Sequence, residues 1–258
     1  MQPFNHNHYI LTPISEELQN AISSINALGD SMEVAAVQEM FVRSLFLQLT
    51  GALEQKAKCI CWMLAQYDLD YRRNRFFTKW ELSECSTLKD KNEVFCDIVK
   101  YILKVDTKYK VFKDPGQKTP FINKIFNEMY TIFENSNLMT QRSSEYKVYK
   151  EILTHFQINN IEAGLQMFKS PKSYNVDELS DDSEILLSTV YTQLLYPHRN
   201  RLAHNTLSYQ ENLPGLIALL DEKKQRYSNI FLYITILIII DELYHRIYSD
   251  YIHIISIL

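Results

Sequence analysis

The chain has 258 residues, of which 46% are hydrophobic and 22% are charged, and it contains only five glycines and seven prolines. One large domain or two small ones fit this length, and the apolar fraction is ample for a core. The net charge of −4 excludes nucleic-acid binding through a general positive field, so contact with RNA or DNA requires a local basic patch. Strand-and-turn architectures need glycine at frequent corners, so its scarcity predicts long helices and an all-α fold.

The N-terminal segment MQPFNHNHYIL has no basic region followed by an apolar core, and it therefore does not resemble a signal peptide. We expect its histidines, His6 and His8, to lie in a mobile tail. Neither Cys-x-x-Cys nor zinc-finger spacing occurs among the cysteines, at positions 59, 61, 85 and 96. We interpret them as reduced thiols of a cytoplasmic protein and expect neither a metal site nor a cofactor.

Two helices are predicted near the N-terminus. The pair Thr12–Pro13, followed by acidic residues at 16 and 17, is typical of a helix start, and this helix should end near Gly29. From 33 to 67 proline is absent and apolar residues recur at steps of three and four, which predicts a helix roughly 50 Å long. The basic run at 71–75, YRRNR, is interpreted as a solvated corner, with RNA binding as the alternative.

The middle of the chain predicts shorter helices. One helix is expected at 88–105, a turn at 113–118, and further helices at the ranges 120–135, 144–157 and 159–169. A break follows at 170–173, where the sequence is SPKS. We interpret 70–180 as a helical insertion within a single domain that spans 1–258.

The last third of the sequence predicts three helices, the second of which carries a polar cluster. Acidic residues at 177–182 should open a helix that reaches Tyr196, Pro197 should start the next one, and Pro214–Gly215 marks a further break. A final helix is expected at 228–257. Its segment 230–240 is continuously apolar, but a membrane span needs roughly 20 such residues, so we expect a buried core or dimer helix and no membrane.

The polar cluster is the segment 196–206, YPHRNRLAHNT. Arg199 and His204 are five residues apart, which is about 140° around a straight helix, whereas Asn200 and His204 share a face. If a helix begins near Pro197, Arg199 lies in its first turn, where free backbone N–H groups favour an anion. The arrangement suits a phosphodiester.

Each of these side chains suits a step of RNA cleavage. His204 exchanges a proton near neutral pH, and Arg199 keeps its charge and stabilises a phosphoryl transition state. Asn200 is expected to orient the imidazole. Because RNA carries its own nucleophile, the 2′-hydroxyl, no metal is needed. The alternative is an arginine that caps a helix end beside a half-buried histidine.

Residues 199–204, RNRLAH, resemble the Arg-x4–6-His motif of the HEPN superfamily, with a polar residue after the arginine and a small apolar residue before the histidine. The resemblance implies an all-α HEPN-like bundle with a long early helix and a C-terminal helix after the motif. It implies a metal-independent endoribonuclease of toxin–antitoxin or antiphage systems, which leaves 2′,3′-cyclic phosphate ends. It also implies a homodimer with a composite site, and an inhibitory antitoxin or regulatory partner.

Some members of that family carry a Glu-x3-Lys motif on a long early helix. Here Glu54 and Lys58 stand four residues apart on the longest predicted helix. The resemblance implies that Glu54 orients Arg199 or His204 and that Lys58 touches phosphate, and we take Arg201 as a second RNA-binding candidate. The alternative is a plain surface Glu–Lys pair.

The resemblance covers the motif closely and residues 33–67 loosely. Family toxins paired with a nucleotidyltransferase antitoxin often carry a tyrosine two residues after the histidine, where this chain has Thr206, and the nearest tyrosine is Tyr209. Silencing by modification of that tyrosine is therefore not implied. Two other readings remain: a non-catalytic HEPN-like module that binds RNA, nucleotide or a protein, and a structural scaffold.

Overall fold

The computed structural model describes residues 5–29, 31–75, 85–155, 161–169, 186–204 and 222–256. Across these ranges the regular structure is helical and no β-strand occurs; a single isolated bridge joins Ile161 to Phe168. The predicted all-α class is confirmed for this part of the chain. The expected helix start at 177–182, the break at 214–215, and Thr206 and Tyr209 lie outside the described residues.

The N-terminal helices are α1 (His6–Leu11), α2 (Ile14–Ala27) and α3 (Ala35–Tyr67). The expectation of a mobile tail was wrong, because the segment forms α1 and packs on α3. Ile10 of α1 is fully buried, and the imidazole Nδ1 of His6 lies 3.3 Å from the Sγ of Cys59. The buried side chain of Ile10 therefore fixes a terminal segment whose neighbouring residues are mostly polar.

Helix α3 confirms the predicted long helix. Its 33 residues correspond to about 50 Å, and no proline interrupts the hydrogen-bond ladder. It ends at Asp68, whose carboxylate accepts a hydrogen bond from the backbone N–H of Tyr71 at 2.8 Å and so begins α4 (Leu69–Arg73). This long helix is the support on which one half of the candidate site is built.

The predicted solvated corner after α4 was only partly right. The two arginines that end α4 are exposed, but Arg75 is buried. Its guanidinium lies 3.0 Å from the carboxylate of Glu93 and 3.7 Å from that of Asp97, both on the next long helix. The pairing satisfies the charge and fixes the corner against that helix, a contact that local sequence does not reveal.

Four helices follow: α5 (Leu88–Val105), α6 (Lys118–Glu134), α7 (Asn137–Gln141) and α8 (Ser143–His155). The first agrees with its predicted range. Its start is set by a capping box, in which Thr87 accepts from the N–H of Asp90 at 3.1 Å and Asp90 accepts from the N–H of Thr87 at 3.1 Å.

The helix predicted at 159–169 was wrong. Residues 161–169 form an irregular segment, in which Ala163 has a φ of 47°, outside the right-handed helical region. The ammonium of Lys118 also donates to the carbonyls of Ile161 at 3.0 Å and Glu162 at 3.1 Å. A distant lysine therefore takes carbonyls that a helix would use itself.

The motif lies in one continuous helical run, made of α9 (Leu187–Val190), a π-helix (Tyr191–Leu195) and α10 (Tyr196–His204). The prediction that a helix starts at Pro197 was therefore wrong. The N–H of Tyr196 donates to the carbonyl of Tyr191, five residues back, and this wider turn precedes the proline that cannot donate. Arg199 is not in a first turn, and the expected anion site at a free helix end is absent from the described run.

The remaining helices are α11 (Glu222–Tyr227) and α12 (Ile230–Ile255). Every side chain from Ile230 to Asp241 is buried, and α12 contacts α1, α2, α3, α5, α6 and α8. The prediction of a buried core helix is confirmed. None of the described helices has an apolar stretch that reaches across a bilayer. The helices between 70 and 180 share this core with α2 and α3.

A buried ion pair joins three helices at the centre. The ammonium of Lys56, on α3, lies 2.5 Å from the carboxylate of Asp241, on α12, and both side chains are shielded from water. The other oxygen of Asp241 accepts from the backbone N–H of Ile14 at 2.9 Å. Burial raises the pKa of Asp241, and Lys56 opposes that rise. Through these contacts Asp241 joins α2, α3 and α12 at one point.

Candidate functional site

The candidate site is a polar cluster where α3 meets α10. The guanidinium Nη2 of Arg199 donates to both carboxylate oxygens of Glu54, at 3.2 and 3.3 Å, across 145 positions of sequence. The side chain of Glu54 is 13% exposed and that of Arg199 is 25% exposed. A partly buried pair of this kind is stronger and better fixed than an open surface ion pair.

Asn200 completes the cluster around the guanidinium. Its amide oxygen accepts from the Nη1 of Arg199 at 3.2 Å. The amide was expected to orient His204, and among the described residues no hydrogen bond joins these two side chains. Arg199 is therefore held from two sides, by a carboxylate and by an amide.

His204 is the last residue of α10 and is exposed. Five positions from Arg199, it lies about 140° away around the helix. Across the described ranges, no side chain or backbone group hydrogen-bonds to its ring. Within one copy of the chain, this rotation places the imidazole and the guanidinium on different sides of α10.

Lys58 and Arg201 are half-buried, one turn after Glu54 on α3 and two residues after Arg199 on α10. Glu54 shares a face of α3 with Lys58, as the spacing predicts, but within the described residues its carboxylate pairs with Arg199 instead. Arg201 lies near His198, where its charge contributes to a lowered pKa.

His198 is a half-buried residue that packs against the core, and sequence reasoning did not separate it from the cluster. Its ring lies 5.4 Å from that of Phe46 and 5.5 Å from that of Tyr233. Burial, helped by the positive charge of Arg201, lowers the pKa of His198 to about 4. The ring is neutral at physiological pH and packs α10 onto α3 and α12.

Lys91 is a further part of the site that the motif search missed. It is 1% exposed, and its ammonium donates to the carbonyls of Cys85 at 2.8 Å and Ser86 at 2.7 Å. Burial lowers the pKa of Lys91 to about 8, with Glu54 acting in the opposite direction and Arg199 in the same one. A lysine within the apolar stripe of α5 was the available signal in the sequence.

Ser86 links Lys91 to the helical run that carries Arg199. Its carbonyl also accepts from the hydroxyl of Tyr191 at 3.2 Å, and its own hydroxyl lies 3.5 Å from that of Tyr196. Burial raises the pKa of Tyr191, which therefore stays a phenol. Tyr191 is the first residue of the π-helix and Tyr196 directly follows it, so both ends of the π-helix are joined to the segment before α5.

No protein-family model, curated protein or solved structure matches this chain. In the described part of the chain, no group of three or more His, Cys, Asp and Glu side chains is arranged to hold a metal ion. The chemistry of the cluster is that of a fixed cation with two orienting partners, a buried ammonium close by, and an exposed imidazole further along the same helix.

Proposed function

We propose that the protein is a metal-independent endoribonuclease of the HEPN type, which acts as a dimer in a toxin–antitoxin or antiphage defence system. The observation that carries the proposal is the Glu54–Arg199 pair, because it joins the two segments that resemble family motifs. An arginine held on two sides presents its remaining N–H donors in a fixed direction, which is the geometry that phosphoryl recognition needs.

The proposed reaction is a transesterification followed by release of the two RNA fragments. His204 accepts the proton of the 2′-hydroxyl, the 2′-oxygen bonds to phosphorus, and the bond to the 5′-oxygen breaks as that oxygen takes a proton from water. The His204 imidazolium then neutralises the hydroxide that remains. Arg199 stabilises the charge on the phosphorane oxygens, and Glu54 and Asn200 orient it. Lys58 and Arg201 contact neighbouring phosphates. The products carry a 2′,3′-cyclic phosphate and a 5′-hydroxyl.

A second copy of the chain would supply what one copy lacks. His204 lies too far around α10 to act on a phosphate held by Arg199 of the same copy, so the composite site takes His204 from the other copy. An exposed apolar patch on α3, defined by Val37, Met40 and Phe41, supports this proposal. It lies about one and a half to two and a half turns from Phe46, which packs on His198 of the motif helix.

The biological setting follows from the activity. An unrestrained ribonuclease harms the cytoplasm in which it is made, so we propose that an antitoxin or another regulatory partner keeps it silent. The resemblance to family toxins supports this part of the proposal.

The test is RNA cleavage in EDTA by the wild type, Arg199→Ala and His204→Ala. We expect cleavage that survives EDTA and falls about a hundredfold to a thousandfold in both variants. The matched controls are Arg73→Ala and His253→Ala, which remove exposed side chains of the same types elsewhere. Cleavage that persists in Arg199→Ala would falsify the assignment of the site.

A non-catalytic RNA-binding module is the second candidate. It is favoured by the pairing of Arg199 with Glu54 and by the different direction of His204. In that case the wild type binds labelled RNA without cutting it, and Arg199→Ala, but not His204→Ala, weakens binding.

A further inference from the structure

The packing around Lys91 sets it apart from an ordinary buried lysine. Its ammonium holds the carbonyls of Cys85 and Ser86, and the Ser86 carbonyl is shared with the hydroxyl of Tyr191. The ring of Tyr191 lies 5.7 Å from the same ammonium. The lysine therefore fixes the point at which the start of α5 is joined to the run that carries Arg199.

The charges around Arg199 give the same lysine a second role. Glu54 neutralises the guanidinium it binds, so this pair alone offers an anion little net attraction. Lys91 is close enough for both partners to influence its pKa. Because water is excluded from it, its positive charge is weakly screened.

We infer that Lys91 is a positioning residue of the Arg199 site. Its ammonium anchors the carbonyl pair that supports the motif helix, and it supplies the buried positive charge that makes the Glu54–Arg199 pair attractive to a phosphodiester. The second half of this inference rests on the proposed function. Lys91 touches no substrate and acts through its neighbours.

The groups that face Lys91 come from every packed element. Glu54 on α3 and Arg199 on α10 oppose each other in their effect on its pKa, and Cys85 and Asp90 raise it. The carboxylate of Asp90 is occupied by the capping box. On α12, the hydroxyl of Tyr244 donates to the backbone carbonyl of Lys91 at 2.7 Å.

The first test needs no ligand and uses NMR to follow the side-chain ¹⁵Nε resonance of Arg199 between pH 7 and 9. The resonance is assigned by its absence from the spectrum of Arg199→Lys. We expect a step with a midpoint at a pH of about 8, where the pKa of Lys91 lies. Lys91→Arg should abolish the step, because a guanidinium does not titrate in this range. The control Lys89→Met, an exposed lysine on the same helix, should keep it.

Cys61 is a second group that the experiment has to separate from Lys91, since a hydrogen bond with the thiol of Cys85 lowers the pKa of Cys61. Cys61→Ala removes this thiol, and the hydrogen bonds of the Lys91 ammonium go to the carbonyls of Cys85 and Ser86 instead. A step that persists in Cys61→Ala belongs to Lys91. A flat wild-type profile, or a step that is lost in Cys61→Ala, overturns the inference, even if Lys91→Arg fails to fold.

An RNA-binding experiment tests the second half of the inference, which is the electrostatic contribution of Lys91. In a His204→Ala background, which prevents cleavage, affinity for a labelled single-stranded RNA should fall about tenfold from pH 7 to 9. With Lys91→Arg added, affinity should be flat. If the resonance of Arg199 titrates but affinity does not, the electrostatic half is wrong. If the wild type neither binds nor cleaves RNA, the proposed function and this half fail together, while the resonance still decides the anchoring role.

Discussion

At the scale of single residues, Arg199 is held by Glu54 and Asn200, and we expect this restraint to matter more for activity than for stability. Glu54→Gln keeps the size of the side chain and removes its charge, so the guanidinium can leave its fixed direction. We expect cleavage to fall about tenfold or more, because positioning contributes strongly to rate, while stability falls by about 1 kcal/mol.

The measurement is a double-mutant cycle of Glu54→Gln and Arg199→Gln, read by urea unfolding, with cleavage by Glu54→Gln assayed beside it. A coupling of about 1 kcal/mol is expected between the two sites. Glu16→Gln, which removes an exposed carboxylate from α2, is the control and should change neither quantity. Strict additivity in the cycle would mean that the pair contributes nothing in solution.

His198 makes the protein sensitive to acid. The folded-state pKa of about 4 lies below the usual value near 6.5, so the unfolded chain binds more protons between these pH values. Its contribution to stability is therefore complete above pH 6.5 and is lost as pH falls towards 4. After allowance for the part of the ring that water reaches, the loss is about 1–2 kcal/mol.

His198→Phe keeps an aromatic ring between Phe46 and Tyr233 and removes the titrating group. Urea unfolding at pH 4.5 and 7 should show a smaller acid-induced loss in this variant than in the wild type. His253→Phe, at an exposed position, should behave as the wild type does. An equal loss in all three proteins would contradict the assignment.

At the scale of helices, the π-helix at Tyr191–Leu195 sets the rotation of everything after it. A π turn contains one residue more than an α turn over about the same rotation, so this turn already accommodates an extra residue, and one alanine inserted after exposed Gln193 should turn α10 by about 100°. Arg199 would then leave Glu54, and His198 would leave its contacts with Phe46 and Tyr233. We expect loss of cleavage and a large drop in the unfolding midpoint.

The matched control is Gln193→Ala, which changes the side chain and keeps the residue count. It should alter stability by no more than about 0.5 kcal/mol. Circular dichroism and thermal unfolding measure both variants. An insertion variant as stable and active as the control would show that the π turn does not determine the direction of Arg199.

Local patterns predicted those helices whose cause is local. The apolar spacing without proline gave the extent of α3, and the Thr87–Asp90 capping box marks the start of α5 in the sequence itself. The predictions that were wrong failed because of contacts with residues far away in the sequence. Lys118 takes carbonyls from the segment at 161–169, and Arg75 is buried by carboxylates on α5.

The residues of the candidate site also divide into those with a local signal in the sequence and those whose placement has a distant cause. Spacing identified Glu54 and Arg199 as candidates, but neither their contact nor the inward turn of His198 can be read from spacing, because the π-helix changes the phase before them. Lys91 was overlooked since no motif contains it. Its position on the apolar stripe of α5, between Leu88 and Phe95, was the local sign of a buried charge.

At the scale of the whole molecule, the Lys56–Asp241 pair holds three helices together. Lys56→Met removes one partner and leaves a buried carboxylate, which should destabilise the fold by about 3–5 kcal/mol at neutral pH. The loss should shrink as pH falls, because protonation of Asp241, whose pKa burial already raises, removes the unpaired charge.

Urea unfolding at pH 5 and 7 measures this difference. The double variant Lys56→Met with Asp241→Asn should recover part of the stability, since the amide still accepts from the N–H of Ile14. Lys89→Met serves as the exposed control. If Lys56→Met were as stable as that control at pH 7, the ion pair would not contribute to holding α2, α3 and α12 together.

The proposed dimer predicts a role for the α3 patch. Met40 is 71% exposed, so Met40→Glu should leave the folded monomer intact and introduce a charge where a second copy would pack. We expect a shift from dimer to monomer in analytical ultracentrifugation, together with loss of cleavage. Leu69→Glu, another exposed apolar residue away from the patch, should change neither.

A mixing experiment examines the composite site itself. Arg199→Ala and His204→Ala are each inactive in the proposal, but a heterodimer of the two retains one intact combination. Cleavage should therefore reappear when the two proteins are mixed. No recovery, despite subunit exchange, would place both groups of the site in one copy.

The Lys56–Asp241 pair also has a consequence for folding during synthesis of the chain. While the chain leaves the ribosome, the N-terminal helices emerge with a lysine whose counter-charge has not yet been synthesised. Helix α3 can pack on α1, α2 and α5 before then, but Asp241, the partner of Lys56, and Tyr233, against which His198 of α10 packs, both belong to α12. The contact between Glu54 and Arg199 therefore lacks these two supports until α12 appears. A nascent or truncated chain that lacks α12 therefore carries every motif residue and yet no assembled site.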